Sequence, residues 1–288
     1  MANLIEYKKF SFINIDDPFF DSLKEDYPEF EEWFKRKSVQ GEEAIVQYDE
    51  EDHLQGFLYT KDESQEVDNN ITPVMKPKRR LKVGTFKIDA HNTRLGEKFI
   101  KKIMDRAIYE GFEEAYVTIF PKHNRLIDLL KRYGFKDYGT KQEELVLLKD
   151  FSVCMGNIVY DYPLIQPKHK RKFLLSIYPK FHTPLFSDSI LKNEVRNTED
   201  LVKDVSFSNS IHKVYVCFMP KTATLKKGDL IAIYRTNDGM GSARFRSVVT
   251  SICQVEEVRT KCDFLSIEEY LEYCKYYSIF IEYDLRKW

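Results

Sequence analysis

Long apolar runs are missing from this chain. Nothing approaches the roughly 20 consecutive apolar residues that a bilayer-spanning helix needs, and residues 1–17 have neither the basic start nor the apolar core of a signal peptide. Cysteine is scarce and poorly spaced for structural work. Cys154, Cys217, Cys253, Cys262 and Cys274 are odd in number, form no C-x-x-C pair and join no histidine cluster. That argues against a disulfide framework and a zinc site, and leaves buried or incidental thiols. Excess charge is missing too. Lysine plus arginine number 45 against 46 for aspartate plus glutamate, so no overall field drives the molecule onto nucleic acid or anionic lipid, and such binding would have to use local patches. No internal repeat or low-complexity tract is visible. The expectation is a soluble cytoplasmic protein whose 288 residues, 43% of them hydrophobic, suffice for two domains.

What is present changes texture along the chain. "YKKFSFINI" alternates like a strand, and "DDPFFDSLKEDYPEFEEWFKRKS" reads as one or two helices broken near Pro28. "EEAIVQYD" and "LQGFLYTKD" flank the polar turn "EEDH" as a β-hairpin. The polar, proline-bearing "ESQEVDNNITPVMKPKRR" reads as a long loop with a basic end, "LKVGTFKID" as a strand, and "EELVLLKDF" as a last strand or hairpin arm. Pro163, Pro167, Pro179 and Pro184 then mark an irregular connector. From Ile211 the texture is β, in "HKVYVCFM", "GDLIAIYRT" and "ARFRSVVTSICQVEEVR", followed by a helix that Ser266 and Glu269 open as a capping box. The organisation is an α/β part over 1–150, a proline-rich connector over 151–204, and a β-rich part over 205–288.

The stretch "HNTRLGEKFIKKIMDRAIYEGFEEAYVTIF", from His91, follows a strand and opens an amphipathic helix. Leu95, Phe99, Ile100, Ile103, Met104, Ala107 and Ile108 form its apolar face, so it should lie on a sheet with its N-terminus fixed by the preceding strand. Backbone N–H groups at that end, beside a glycine that permits close approach, favour a phosphate or pyrophosphate. Any strand-to-helix turn tolerates a glycine equally well, so the turn alone leaves both readings open. It carries neither G-x-x-x-x-G-K-[ST] nor G-x-G-x-x-G, which argues against a nucleotide triphosphatase or a dinucleotide enzyme.

The order strand, helix, hairpin, strand, turn, helix, strand, and helix ending "YGF" resembles the GNAT superfamily of N-acetyltransferases over residues 1–150. The resemblance implies a mixed, twisted α/β (α+β) sheet flanked by helices, and acetyl-CoA as cofactor. In the family's pyrophosphate turn, Gly96 would take the last position, His91 that of the usual Gln or Arg, and Arg94 that of the first glycine. By the same resemblance Phe86, Lys87 and Ile88 would present strand backbone to pantetheine. His91, Asn92, Thr93, Arg94, Leu95, Gly96 and Glu97 would cradle the diphosphate, with His123 and Asn124 contributing from the helix "HNRLIDLLKRYGF". Gly134 and Phe135 match that helix's end. Leu130 stands where many members place the tyrosine that protonates the departing thiolate, so Tyr133 and Tyr138 are the candidates for the acid. The implied reaction is attack of an amine on the thioester, with a backbone N–H of the splayed fourth strand polarising the carbonyl. Asp89, Glu143 and Glu144 are carboxylates at strand ends, and none is distinguished as the base.

Residues 205–288 are similar to small PUA-like barrels of the ASCH type, through the "GD" turn of "KKGDLIAIY" and the strand pair ending "VEEV". That implies a β-barrel that binds RNA or modified bases, with Lys213, Tyr215, Arg235, Thr236, Arg244 and Arg246 as candidate contacts and Tyr234 available for stacking. Lys221, Thr224 and Glu256 are present, without the pattern of the family's amidohydrolases. The closing "IEYDLRKW" reads as an unfinished turn, which fits a shortened chain or a barrel that closes elsewhere. The basic runs "KPKRR" and "PKHKRK" would extend a phosphate-tracking surface if they faced one side. Three functions follow as expectations: acetyl transfer to an RNA-linked amine such as aminoacyl-tRNA, a non-catalytic RNA- or protein-binding regulator on a degenerate fold, or a protein acetyltransferase with the barrel as scaffold.

Overall fold

A computed structural model describes residues 5–65, 70–89, 94–189, 211–275 and 277–287. The chain divides into two compact units, Met1–Val153 and Cys154–Trp288. In the first, β1 (Ile5–Lys9) leads to α1 (Asp21–Asp26) and α2 (Phe30–Val39). Next come β2 (Glu43–Tyr48), β3 (Leu54–Asp62), the two-residue β4 (Ile71–Thr72) and β5 (Arg80–Ile88). Then follow α3 (Leu95–Glu110), β6 (Glu114–Ile119), α4 (Asn124–Arg132), β7 (Lys136–Lys141) and β8 (Glu144–Asp150). The strands form one sheet in the order β1-β2-β3-β5-β6-β8-β7-β4, antiparallel throughout except for the parallel pair β5 and β6.

Each sheet face is covered by the residues that alternation sends to it. Phe57 and Tyr59 of β3 meet Phe10, Phe20, Phe30 and Phe34 in a buried aromatic cluster under α2, with rings packed mostly edge to face. On the other face lies α3, whose Leu95, Phe99, Ile100, Ile103, Met104 and Ala107 are buried. Ile108, counted on that face by its spacing, is half exposed. The helix pair expected around Pro28 is present as α1 and α2, broken at Tyr27, whose φ of −130° and ψ of 94° are extended.

Two differences from the sequence reading have physical causes. The loop before β5 contains a strand, because Gly139 lets the backbone of β4 come close. A Cβ there would lie 2.0 Å from the Thr72 carbonyl oxygen. The run "KPKRR" is not a free basic surface. Arg80 is buried and its guanidinium pairs with Glu114 at 2.5 Å, Lys78 lies 3.1 Å from Glu114 and 3.4 Å from Asp150, and Arg79 donates to the Glu110 carbonyl.

The second unit contains α5 (Ile158–Asp161), β9 (Lys172–Ile177), α6 (Pro179–Leu185), β10 (Leu230–Arg235), α7 (Ala243–Arg246), β11 (Val248–Gln254), α8 (Ile267–Cys274) and α9 (Glu282–Leu285). Its sheet has three strands in the order β11-β10-β9, with β9 parallel to β10. The stretch read as a connector therefore supplies a strand. Among the described residues the sheet does not close into a barrel, and "HKVYVCFM" joins no ladder. Half of the expected capping box of α8 is present: Ser266 Oγ accepts from the Glu269 amide at 3.1 Å, but the Glu269 carboxylate accepts from the Leu265 amide at 2.8 Å instead of from that of Ser266. All five cysteines are free, and among the described residues no cluster suited to a metal occurs. No helix of the described chain is long and apolar enough to cross a membrane.

Replacing Gly139 with Ala should destabilise the first unit by about 1–3 kcal/mol, because its methyl meets backbone rather than a side chain that can swing away. A chemical denaturation midpoint equal to that of the parent would show that β4 is not held against β7.

Candidate active site

The distinctive feature of the first unit is where one ladder stops. β5 pairs with β6 only from Arg80 opposite Glu114 to Val83 opposite Val117. Beyond that point β5 keeps its other neighbour, with Ile88 opposite Gly56, and β6 keeps β8, with Ile119 opposite Leu145. The two strands therefore part while each stays in the sheet. A bulge marks the place. Tyr59 lies opposite Thr85 and Thr60 opposite Val83, leaving Gly84 as the extra residue, and its missing side chain makes room for the Tyr59 ring, 2.8 Å from where a Cβ would be.

Ladder geometry says what faces the opening. The Asp89 amide donates to the Gln55 carbonyl at 3.1 Å, on the β3 side. Amides alternate in direction along an antiparallel ladder, so Lys87 also points to β3, while Phe86 and Ile88 direct theirs toward the opening. Side chains sort the other way, by face. Phe86 packs on Phe99 of α3 at 5.8 Å between centroids, whereas Lys87 reaches the opposite face and donates to Ser22 Oγ at 2.7 Å and to the Phe19 carbonyl.

The N-terminus of α3 stands at the end of β5. Arg94 occupies its cap, and Arg94 and Arg132 bring guanidinium nitrogens to 3.8 and 3.6 Å from the buried Glu97 carboxylate. Gly96 has a packing reason of its own, since a Cβ there would lie 2.7 Å from Leu129 Cδ2 and 3.6 Å from Ile88 Cδ1. Its presence therefore needs no phosphate to explain it. His91, Asn92 and Thr93 lie outside the described residues. His123 caps α4 and places Nε2 3.2 Å from Asp26 Oδ2, and Asn124 is the first, exposed residue of α4.

Of the two tyrosines considered as acids, Tyr133 is fully buried at the end of α4, and its carbonyl accepts from Lys149 Nζ at 2.7 Å. Tyr138 donates to the Val74 carbonyl at 3.3 Å and packs with Ile71, Met75 and Tyr116, on β7, which β8 separates from β6. Leu130 is buried. Residues that sequence reasoning passed over do lie at the open end. Tyr27 packs on Phe120, the residue after β6, at 5.3 Å, and its hydroxyl donates to Glu144 Oε1 at 2.6 Å. Burial and the adjacent Glu144 carboxylate raise the Tyr27 phenol well above its ordinary range, so it is a fixed donor. Only Glu144 had been marked, as a strand-end carboxylate, because no local pattern joins residues 117 apart in sequence.

In the second unit the candidate RNA contacts are largely committed elsewhere. Arg235 is buried and donates to the Arg246 carbonyl at 2.9 Å, while Arg246 grips Asp238 with two nitrogens and holds that carboxyl far below its usual range. Thr236 donates to the Ile177 carbonyl, Tyr215 packs against the core of Ile177, Ile231, Ile233 and Val255, and half-buried Lys213 lies over the Phe186 ring. Arg244 is exposed. Arg171, from the second basic run, is spent on Asp229.

No family model and no curated protein matches the chain. Among solved structures, the N-terminal half is similar to the PaiA N-acetyltransferase of Thermoplasma acidophilum in complex with coenzyme A, at 12% identity over 51% of this chain and 99% of that one, with a TM-score of 0.35. It is also similar to Naa20 of Chaetomium thermophilum in complex with a bisubstrate analogue, at 11% identity over 51% and 86%, with a TM-score of 0.38. A GNAT-family acetyltransferase of Staphylococcus aureus gives 13% identity over 51% and 99%, with a TM-score of 0.37. Scores of this size carry no argument, and the functional reading rests on the parted strands.

One titration is expected to be visible in stability. His182 of α6 is fully buried, with Nε2 2.7 Å from Thr250 Oγ1, and burial followed by the nearby Arg235 charge lowers its pKa to about 4. The folded state resists a proton that the unfolded chain accepts below its ordinary pKa of about 6.5. Stability should therefore fall as pH drops from about 6.5 to 4, by about 3 kcal/mol at most. In His182→Gln that slope should disappear from melts of the full chain across this range. A slope unchanged in the variant would remove His182 as its source.

Proposed function

We propose that the first unit is an acetyl-CoA-dependent N-acetyltransferase acting on an amine. The observation that carries the reading is the end of the β5–β6 ladder at Val83 and Val117. It leaves a stretch of strand edge, with the Phe86 and Ile88 amides directed into a gap, and such an edge is complementary to an extended chain that bears amides of its own. Pantetheine is such a chain, and its thioester is what acetyl-CoA supplies. The α3 N-terminus at the end of the same strand offers helix dipole and the Arg94 and Arg132 guanidinium groups to a diphosphate.

The protein's own contribution is position and polarisation. An amide of Phe86 or Ile88 donates to the carbonyl oxygen as it gains negative charge, a contribution of order 10²–10³ in rate for one well-placed donor. The amine's lone pair forms the C–N bond, the C–S bond breaks, and the proton lost by nitrogen is balanced by the one gained by sulfur. A thiolate of ordinary thiol pKa leaves without strong assistance, so with Tyr133 and Tyr138 placed as they are, the reading assigns that proton to solvent. RNA forms no part of it, because Arg235, Arg246 and Arg171 already serve Asp238 and Asp229.

One observation favours a second reading, a non-catalytic regulator. Glu97 puts a buried carboxylate in the first turn of α3, where it competes with a diphosphate for the same two arginines. Calorimetric titration of the full chain with CoA separates the two. Saturable binding is expected, weakened about tenfold in Arg94→Ala. A folded sample that shows no heat at millimolar CoA overturns the transferase reading.

A further inference from the structure

The opening has two faces, and α1 lies across one of them. At its start, Lys87 of the parted part of β5 donates to Ser22 Oγ and to the Phe19 carbonyl. At its end, Asp26 pairs with Lys122 and with His123 Nε2, and Tyr27 packs on Phe120 and donates to Glu144. Lys122 and His123 belong to the turn that follows β6, so α1 runs from one parted strand to the other. Its six residues span about 9 Å, roughly two strand spacings, which is the width expected of a gap one strand wide. The Phe86 side chain packs on α3 on the other face. If a thioester lies in the gap with its diphosphate at α3, an acceptor has to arrive from the face that α1 covers.

The segment is held as a hinged strap is held. Phe19 and Phe20 before it, and Phe30 and Phe34 after it, are buried in the aromatic cluster. Between them α1 fully buries none of its own residues, and only Leu23 and the adjoining Tyr27 pack, partly buried, against the same cluster. Its far end rests on the pairing of largely covered Asp26 with exposed Lys122 and His123, on Tyr27 packed against Phe120 and the edge of the cluster, and on the Tyr27 hydrogen bond. Exposed ion pairs contribute little, and segments with few buried contacts open at a free energy well below that of global unfolding. The charge-assisted bond to Glu144 is the strongest of these ties.

We propose that residues 21–29 form a gate over the acceptor side of the opening and that the Tyr27–Glu144 hydrogen bond is its latch. This rests on the transferase reading for its purpose but not for its test. The gate bows outward between its anchors at Phe20 and Phe30, releasing the Tyr27 hydroxyl from Glu144 and uncovering Thr85 and Lys87 on the face it had roofed.

The test uses the full chain without CoA. Amide hydrogen exchange of residues 21–29 should quicken about tenfold in Tyr27→Phe, which keeps the ring on Phe120, and equally in Glu144→Ala, with no further gain in the double variant, while Glu144→Gln retains an acceptor and falls between. In a Thr85→Cys background, alkylation of that thiol by iodoacetamide, read on its peptide by mass spectrometry, should accelerate by a similar factor when Tyr27→Phe is added. CoA affinity, where calorimetry finds it, should stay within about twofold. Additive exchange effects, an unchanged exchange rate, or a Thr85→Cys thiol that reacts equally fast with the latch present overturns the gate. Absence of CoA binding overturns the transferase reading alone, since exchange and alkylation are measured without it.

Discussion

A strand can pair on two edges, and β5 gives up one of them halfway along. That single event organises the first unit. Up to Val83 the parallel pairing with β6 is reinforced at its closed end by a charge cluster, in which Arg80 and Lys78 converge on Glu114 and Lys78 also reaches Asp150 at the end of β8. A buried ion pair of this kind adds little net stability compared with apolar packing, but breaking it costs a great deal. It therefore fixes register better than it adds strength, and register is what the parting requires. The bulge at Gly84 then turns β5 onto a new course, and the antiparallel neighbours β3 and β8 hold the two strands apart so that the gap cannot close by sliding.

The two faces of the gap are built from different materials. On the α3 side Phe86, Phe99, Leu95 and Leu129 pack as ordinary core, rigid because close-packed interiors resist deformation. On the α1 side the cover is a short helix held by polar ties and by partly buried Leu23 and Tyr27. A site whose one wall is core and whose other wall is hinged suits a reaction in which one partner must be held in register and the other must come and go.

Much of the element order could be read from the chain, since helices α2, α3 and α4 and strands β2, β3, β5 and β6 each carry their own periodicity. The parting of β5 and β6 could not. It depends on where a ladder ends, and Gly84 looks in sequence like any glycine in a strand. The turn ahead of α3 shows the opposite case, where a plausible local signal had a plainer cause. Gly96 is small because Leu129 and Ile88 need the space. The Tyr27–Glu144 contact was invisible for a third reason, that its partners are brought together only by the whole sheet. In the second unit the basic residues were countable but their partners were not. Asp238, three residues beyond the end of β10, absorbs the charge of Arg246 and part of that of Arg235.

The same accounting bears on what kind of protein this is. Arginine forks satisfied by carboxylates are poor at tracking phosphates, because a nucleic-acid phosphate would have to displace a better-placed anion. The second unit has made that commitment at Asp238 and at Asp229. In the first unit Arg94 and Arg132 bring guanidinium nitrogens to 3.8 and 3.6 Å from Glu97. On the transferase reading an incoming diphosphate meets Arg94 and Arg132 at the head of α3, at the end of the strand whose edge lies open.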